Sequence, residues 1–561
     1  MENDMKFKDM PYERVKYEDV EKEFRQIIEE FKNAESGEEQ FAVHQKFYTF
    51  SNKVETTMTI AGIRYDIDTA NEFYEKEKEY YDEMEPKLAN LMVEYRQAMY
   101  DSPYRSYLEG KIGKVAFKNI ELEIKSFDEK LIPLMQEENA LATRYNKLIA
   151  SAEIEWEGEK LNLSLMRPHL TNSDRNIRRK AYEKYSAFFL SVEDELDEIY
   201  DKLVKNRTEQ ARQMGYENYV ELGYYRMRRN SYDKTMVENY RNQIKKYFVP
   251  FAEKMHERRR ERLGLNKLSY IDTAVYFLDG NPAPEGTPEE IMSAGQKMYS
   301  EMSQETKEFF DFMMKNELFD VLGRKTKKAG GYMTYLPVYG APFIFANFNG
   351  TSGDVDVITH ECGHAFQGYL SGKDPIQEHR DITMETAEIH SMSMEFFAEG
   401  WTELFFGGRA QDYKSMHLED AAAFIPYGCM VDEFQHIAYA NPDMTPKERR
   451  AAWLELEKEY RPHMDYEDDL FFSKGGFWQK QQHIYNWPFY YIDYCLAQTC
   501  AFQYKAKMDG NYEEAWKSYL KLCELSAKDF YTDMVKEVGL ESPFEDGCIR
   551  SVIEKLESKM V

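Results

Sequence analysis

Apolar residues recur every three or four positions along most of the chain, which is the spacing that gathers them on one face of an α-helix. Near the start, Phe24, Ile27, Ile28 and Phe31 follow this spacing, and similar runs rich in Glu and Lys come after them. We interpret the charged positions as solvated helix faces and the Tyr, Leu and Met stripes as a packing core. The pattern predicts an N-terminal helical domain over residues 1–150.

Two short stretches depart from this helical spacing. Residues 154–163 alternate apolar and polar side chains around a glycine, which predicts a β-hairpin. Residues 332–336 and 343–348 are rich in β-forming side chains and are separated by Pro and Gly, which predicts two strands. We therefore expect a second domain over residues 151–561 that is mainly helical and contains a small sheet near 330–350.

A metal-binding pattern follows the predicted sheet. His360, Glu361 and His364 form the motif H-E-x-x-H, with no proline from there through Leu370. Residues four apart lie on the same face of a helix, so the two histidines can bind one metal ion. Glu361 can then lie beside a metal-bound water as its general base. Since the pentapeptide also arises by chance, a third ligand is needed to support this interpretation.

The chain offers acidic residues for that third ligand. Zinc that performs chemistry takes three protein ligands and leaves a position for water. A metzincin would supply a third His at position 370, where this chain has Leu370, so that class is excluded. The segment after Arg380 instead places four acids near one face of an otherwise apolar helix: Glu385, Glu388, Glu395 and Glu399. Buried acids need ion-pair or metal partners, so we interpret this face as part of a metal site.

Together these motifs resemble a known family. H-E-x-G-H followed by E-x-x-E about two dozen residues later resembles the thimet-oligopeptidase (M3) family of zinc peptidases, in particular its oligoendopeptidase F and Pz-peptidase branch. The resemblance implies that Glu388 is the third zinc ligand and that Glu385 supports the site. A downstream His and Tyr-rich segment also resembles the family, and implies His483, Tyr491 and Tyr494 as groups that stabilise the substrate oxyanion.

The resemblance implies a fold and an activity. It predicts a mainly α protein in which two largely helical halves enclose a deep cleft, with the small β-sheet beside the zinc helix. It also predicts that residues 151–561 form the catalytic domain of a zinc-dependent oligoendopeptidase that cleaves internal bonds of short unstructured peptides. One Zn²⁺ per chain would be held by His360, His364 and Glu388, with Glu361 as the general base.

Residues around the ligands have expected supporting roles. Histidine ligands usually donate their outer N–H to a carboxylate, and three acids are candidates: Glu385, Glu395 and Asp354. An edge strand beside the zinc helix can pair with an extended peptide. Phe345, Ala346 and Asn347 are therefore substrate-binding candidates, although a hairpin that only braces the helix would look the same in sequence.

Composition narrows the classes of partner. The chain has 73 Lys and Arg against 101 Asp and Glu, a formal net charge of −28, which argues against nucleic acid as a partner. Its six Cys form no C-x-x-C pair, which favours a reducing compartment. The N-terminal residues lack the apolar core of a signal peptide, and no apolar run is long enough to span a membrane. We expect a cytoplasmic protein that binds neither nucleic acid nor membrane.

Three other functions share parts of these motifs. A zinc carboxypeptidase of related helical fold would also have H-E-x-x-H and a downstream Glu, but needs a positive group to bind the terminal carboxylate. Thermolysin-like enzymes use N-E-x-x-S-D, of which only Glu388 and Ser391 are present, since Met392 follows. A non-catalytic helical protein that binds zinc or peptides is the third, although a structural zinc site normally fills all four positions.

Overall fold

Amphipathic helices form the first part of the chain, as the apolar spacing predicts. The structure is a computed structural model and describes residues 5–557. The first six helices are α1 (Tyr17–Asn33), α2 (Gly37–Ile67), α3 (Glu72–Tyr100), α4 (Arg105–Ile112), α5 (Lys114–Ser126) and α6 (Ile132–Ala150). The predicted apolar face of α1 is buried, with Phe31 fully enclosed. Helices α1 to α5 share a hydrophobic core of their own, whereas the buried residues of α6 belong to the larger core of the following part of the chain.

The predicted hairpin is present after α6. Strands β1 (Ile154–Trp156) and β2 (Glu159–Leu161) are antiparallel. Glu157 and Gly158 between them have φ values of 50° and 92°, which is the left-handed backbone that a tight two-residue hairpin turn requires. Helices then continue as α7 (Leu163–Leu170), α8 (Arg175–Ser191), α9 (Glu193–Gln213), α10 (Tyr219–Arg226), α11 (Lys234–Gln243), α12 (Val249–Arg262), α13 (Pro288–Met302) and α14 (Gln304–Lys315).

A three-stranded sheet precedes the predicted zinc helix. Its strands are β3 (Phe319–Leu322), β4 (Tyr332–Leu336) and β5 (Ala341–Phe348), in the order β3-β5-β4. β5 pairs parallel with β3 and antiparallel with β4, and is buried along almost its whole length. The existence of the sheet is confirmed, but β5 is its central strand. The prediction that this strand offers a free edge to a peptide is therefore wrong.

The remaining chain is mainly helical and includes the helix that contains the metal motif. It forms α15 (Gly353–Ser371), α16 (Met384–Phe397), α17 (Glu403–Phe406), α18 (Ala410–Ala440), α19 (Pro446–Tyr460), α20 (Gln482–Asn486), α21 (Tyr491–Gly510), α22 (Tyr512–Leu525), α23 (Tyr531–Glu537) and α24 (Cys548–Glu557). α15 packs on β5 and on α16, and α16 packs on α21. The fold is mainly α with small sheets. No helix within residues 5–557 has the length and apolar character needed to cross a membrane.

Candidate metal centre and active site

The turn before α15 sets the direction in which the metal motif enters the site. The backbone N–H groups of Asn349 and Gly350 donate to the two carboxylate oxygens of Asp354 at 2.9 and 2.8 Å. Gly350 has a φ of 80°, which favours glycine at this corner. We expected Asp354 to orient a ligand histidine, but in the described part of the chain no hydrogen bond joins it to one. Its carboxylate holds the turn that starts α15.

Three potential ligand atoms converge from two helices. His360 and His364 lie one turn apart on α15, and their Nε2 atoms are 3.4 and 3.5 Å from Oε2 of Glu388 on α16. All three ligand atoms lie within 4.8 Å of one another. Zinc bonds of about 2.0–2.2 Å in a tetrahedral site place ligand atoms about 3.3–3.6 Å apart. The chemistry and the spacing of these donors therefore fit a zinc ion.

Glu388 is a buried carboxylate with a full set of partners. Its side chain is 2 % exposed. Tyr490 donates to its Oε1 at 2.5 Å and Ser391 donates to its Oε2 at 3.1 Å. Burial alone would raise the pKa of this carboxyl, but the two histidines hold it far below its ordinary value. Glu388 is therefore ionised, which is the state that binds a cation.

Glu395 orients the first histidine. Its Oε1 lies 2.6 Å from Nδ1 of His360, and its Oε2 lies 2.6 Å from Nε2 of His417 on α18. Although burial opposes it, hydrogen bonding from both rings lowers the pKa of Glu395 to about 2. An ionised carboxylate at this position accepts the Nδ1 proton of His360 and leaves the Nε2 lone pair directed towards Glu388. This is the contact that we expected for Glu395.

Glu385 has a different role from the one expected of an acid beside a ligand. It accepts a hydrogen bond from Thr383 at 2.7 Å and lies 3.9 Å from the buried guanidinium of Arg229. Arg229 also pairs with Asp493 on α21 and donates to the carbonyl of Phe489 at 2.6 Å. Glu385 therefore joins α16 to the segment that precedes α21, and supports the site through that segment.

Glu361 lies beside the beginning of β4. A Cβ added to Gly331 would lie 3.7 Å from Oε1 of Glu361 and 3.3 Å from the carbonyl oxygen of Phe345. Only a residue without a side chain leaves this space open. Burial raises the pKa of Glu361, while the neighbouring histidines oppose that shift. A carboxylate with a raised pKa is a stronger base than an exposed one, as a catalytic base requires.

The residues expected to bind substrate lie inside the sheet. Phe345 and Ala346 are fully buried in β5. The side-chain amide of Asn347 donates to the carbonyls of Lys328 and Gly330 at 2.8 and 2.9 Å. These residues cannot pair with a peptide through an edge because β3 and β4 already occupy both sides of β5. Asn347 holds the loop that leads to β4, which begins beside Glu361.

The downstream His–Tyr segment faces the same centre. The amide of Gln481 donates to Nδ1 of His483 at 2.8 Å, so the ring proton is on Nε2, which lies 3.4 Å from the hydroxyl of Tyr494. Burial lowers the pKa of His483 to about 4, so the ring is neutral at neutral pH. The ring of Tyr491 is buried with its centroid 5.1 Å from that of His483, but in the described part of the chain no hydrogen bond joins its hydroxyl to another group. His483 and Tyr494 thus present polar atoms, whereas Tyr491 is part of the core.

Family models match most of the chain. A model of the peptidase M3 N-terminal domain matches residues 7–127, and the model of peptidase family M3 matches residues 169–553. The second match spans more than half of the chain and includes the whole metal centre. The chain belongs to peptidase family M3. This M3 peptidase is therefore a metallopeptidase, a hydrolase of peptide bonds.

Relatives and solved structures agree with this assignment. An oligoendopeptidase F homolog of Borreliella burgdorferi is 22% identical over 450 residues, covering 76% of this chain and 74% of that protein. Among solved structures, Pz peptidase A with an inhibitor is 46% identical with a TM-score of 0.97, covering 99% of both chains. A putative oligoendopeptidase F from Bacillus anthracis is 42% identical with a TM-score of 0.92, covering 99% of this chain and 98% of that one.

Several residues of the M3 peptidase site were not predicted from sequence. Tyr490, which contacts Glu388, lies in the Tyr-rich segment, but the resemblance implies its neighbours Tyr491 and Tyr494. His417 and Gln481 belong to no motif, and only the fold brings them to Glu395 and His483. The Tyr-rich pattern indicates the segment that contains Tyr490 but not which tyrosine contacts Glu388. No local signal could have indicated the other two.

A second group of potential ligands lies elsewhere in the described residues: Glu253, His256 and His463. The two rings are tilted by 32° with centroids 3.7 Å apart, and Nδ1 of His463 lies 2.6 Å from Oε1 of Glu253. Burial and the neighbouring Arg259 and Arg461 lower the pKa of His256 well below its ordinary value. Two arginines repel an added cation, so this group is a less suitable metal site than the one on α15 and α16.

Proposed function

We propose that this M3 peptidase is a zinc-dependent oligoendopeptidase that hydrolyses internal bonds of short unstructured peptides. The observation that carries the proposal is the group of three donors from α15 and α16 at tetrahedral spacing, with Glu361 next to them. His360, His364 and Glu388 would hold the ion. Zinc, when bound, supplies a Lewis acid that polarises the scissile carbonyl and lowers the pKa of a water molecule towards about 7.

Glu361 would move the proton. As a carboxylate with a raised pKa it accepts the proton of the attacking water and then transfers it to the leaving amine. Glu395 and His417 keep His360 in one orientation through the paired hydrogen bonds described above. Because His360 is held in one rotamer, it needs no reorganisation during the reaction. The scissile carbonyl of the substrate would therefore keep its position relative to Glu361.

His483 and the tyrosines would stabilise the oxyanion. The Nε2–H of His483 and the hydroxyl of Tyr494 are donors that lie 3.4 Å apart, so both can approach one oxygen. Tyr490 donates to Glu388 and is the second hydroxyl at this side of the site. Donors placed where negative charge develops lower the barrier more than they tighten ground-state binding.

Replacing Tyr494 by Phe tests this role. The change removes one hydroxyl and little volume, so we expect kcat to fall about a hundredfold or more with a modest change in KM. Tyr491→Phe is the matched control, because its ring packs in the core. Steady-state kinetics on a short peptide measures both. An unchanged kcat in Tyr494→Phe, or an equal loss in Tyr491→Phe, would contradict the assignment.

The edge strand of the sheet is the proposed guide for the substrate backbone. β4 lies at the edge of the sheet and begins next to Gly331, whose missing side chain leaves room beside Glu361. A peptide extended along β4 would bring an internal bond to the metal centre by main-chain hydrogen bonding. This replaces β5 as the proposed pairing strand. The ligand histidines are only 23 % and 13 % exposed, so a folded protein surface would not reach them.

A peptide blocked at both ends tests the proposed specificity. We expect an internally quenched peptide with acetylated and amidated ends to be cleaved at an internal bond, while a stable folded protein stays intact under the same conditions. Mass spectrometry of the products locates the bond. A carboxypeptidase would require a free C-terminus and would release single residues, so failure on the blocked peptide would favour that alternative. Efficient digestion of the folded protein would show that the site is open.

A further inference from the structure

A cationic side chain without a counter-ion lies next to the oxyanion segment. Lys480 ends a short helical turn, Phe477–Lys480, and directly precedes Gln481, whose amide holds His483. Its ammonium lies 3.8 Å from the ring centroid of Phe477 and 5.9 Å from that of Phe472. In the described part of the chain no carboxylate forms an ion pair with it. Lys480 is therefore half-buried against aromatic rings without an ion-pair partner among the described residues.

Two arginines add to the positive charge at this place. The guanidinium of Arg461 lies 5.0 Å from the centroid of the same Phe477 ring. Burial, together with the charges of Arg461 and Arg167, lowers the pKa of Lys480 to about 7, and the charge of Glu457 opposes this shift. Glu457 itself accepts from Arg461 at 3.4 Å and from Tyr466, so it is already engaged. Three cations share this region of a chain whose net charge is −28.

The cluster is connected to the catalytic segment by direct contacts. Arg461 lies over the ring of Tyr427 at 5.2 Å, and the Tyr427 hydroxyl donates to Gln481 at 2.9 Å. Gln481 then holds His483. From the other side, the charge of Arg167 also acts on Asp354 at the start of α15. Contacts or charge therefore connect the cations both to the start of α15 and to the segment with the proposed oxyanion donors.

We propose that Lys480, with Arg461 and Arg167, forms an anion subsite that binds a carboxylate of the peptide substrate. A half-buried ammonium that lacks an anionic partner is costly, and a carboxylate from a ligand removes that cost. A charge-assisted hydrogen bond from Lys480 to the carboxylate would orient the peptide next to His483. The carboxylate can be the C-terminus of the peptide or an Asp or Glu side chain. The inference rests on the proposed endopeptidase function and adds a preference to it.

Matched peptides test the subsite. Three versions of one quenched peptide are compared. The first has Gln and a C-terminal amide, the second has Gln and a free C-terminus, and the third has Glu and a C-terminal amide. Each version is made with the Gln or Glu at every position around the cleaved bond. We expect at least one carboxylate peptide to be cleaved with a kcat/KM about tenfold above its amide counterpart, the effect of a single charge-assisted contact. The free C-terminus and the Glu series distinguish the two sources of carboxylate.

Variants of Lys480 assign the preference to this side chain. Lys480→Met should reduce the ratio of kcat/KM between carboxylate and amide peptides to about one, whereas Lys480→Arg should retain it. Lys474→Met, on the exposed turn Phe472–Lys474, is the control and should keep the wild-type ratio. The proposed subsite would be wrong if Lys480→Met kept the wild-type ratio of kcat/KM between carboxylate and amide peptides. It would also be wrong if the wild-type enzyme cleaved all the peptides equally. Absence of cleavage of every peptide by the zinc-loaded wild type would instead refute the proposed function.

The ratio of kcat/KM between carboxylate and amide peptides should also depend on pH. If Lys480 had only a structural role, this pH dependence would not be expected. Below its pKa of about 7 Lys480 is charged, and it loses that charge as the pH rises. The peptide carboxylate stays ionised throughout this range. The preference of the wild type should therefore be larger at pH 6 than at pH 9, while Lys480→Arg should keep its preference at both values. The same pH profile for both enzymes would contradict the assignment.

Discussion

Glu361→Gln is expected to abolish peptide hydrolysis, lowering kcat by several orders of magnitude, while the protein still binds zinc as the wild type does. The substitution keeps the size of the side chain but removes the group that accepts a proton. His360, His364 and Glu388, which would hold the ion, are untouched. Loss of turnover without loss of metal therefore separates the base from the ligands.

The two quantities are measured on the same sample, with kcat from a quenched peptide and zinc from elemental analysis. Glu403→Gln is a suitable control, since it makes the same chemical change at an exposed acid on α17. It should match the wild type in both measurements. A zinc-loaded Glu361→Gln enzyme with near-normal turnover would remove Glu361 from the mechanism.

Glu388→Ala is expected to lose most of its zinc affinity, whereas Glu385→Ala should lose less. Glu388 contributes one of the three donors within 4.8 Å of one another, so its removal leaves only two histidines. Glu385 lies one helical turn away and contacts Thr383 and Arg229. Its loss would disturb the segment before α21 and leave the three donors in place.

Competition with a chelating dye measures both affinities, and thermal unfolding of the metal-free proteins provides the control. Glu385→Ala should lower the unfolding temperature, because Arg229 loses one of its buried anionic neighbours. If Glu385→Ala lost zinc affinity and Glu388→Ala kept it, the third ligand would be Glu385, one helical turn before Glu388.

The two proposed histidine ligands could be predicted from sequence because helical spacing places them on one face, whereas Glu388 was assigned by the resemblance to the M3 family. His360 and His364 share a face of α15, and the acids of α16 are distinguished by their apolar surroundings. Not every acid on that face lies at the proposed metal site. Glu399 lies beyond the end of α16, in the turn Ala398–Trp401, and pairs with Lys505. Periodicity identified the helix face but not the point at which the helix ends.

Contacts between distant segments could not be predicted in the same way. The order of strands decides whether β5 is an edge or a centre, and that order depends on β3, which the sequence pattern did not reveal. His417 reaches Glu395 only because α16 and α18 both pack on α21, and no spacing in the chain indicates it. Tyr490 and Tyr494 could not be ranked because aromatic side chains are common in this chain, and most of them pack in the core.

The location of the bound metal tests the central claim most directly. Crystals of the zinc-loaded protein would be measured on both sides of the zinc absorption edge, so that the anomalous difference marks zinc alone. We expect one peak about 2.0–2.2 Å from Nε2 of His360, Nε2 of His364 and a carboxylate oxygen of Glu388. A zinc-loaded crystal with no peak there, or with its only peak between His256 and His463, would contradict the assignment of the metal centre.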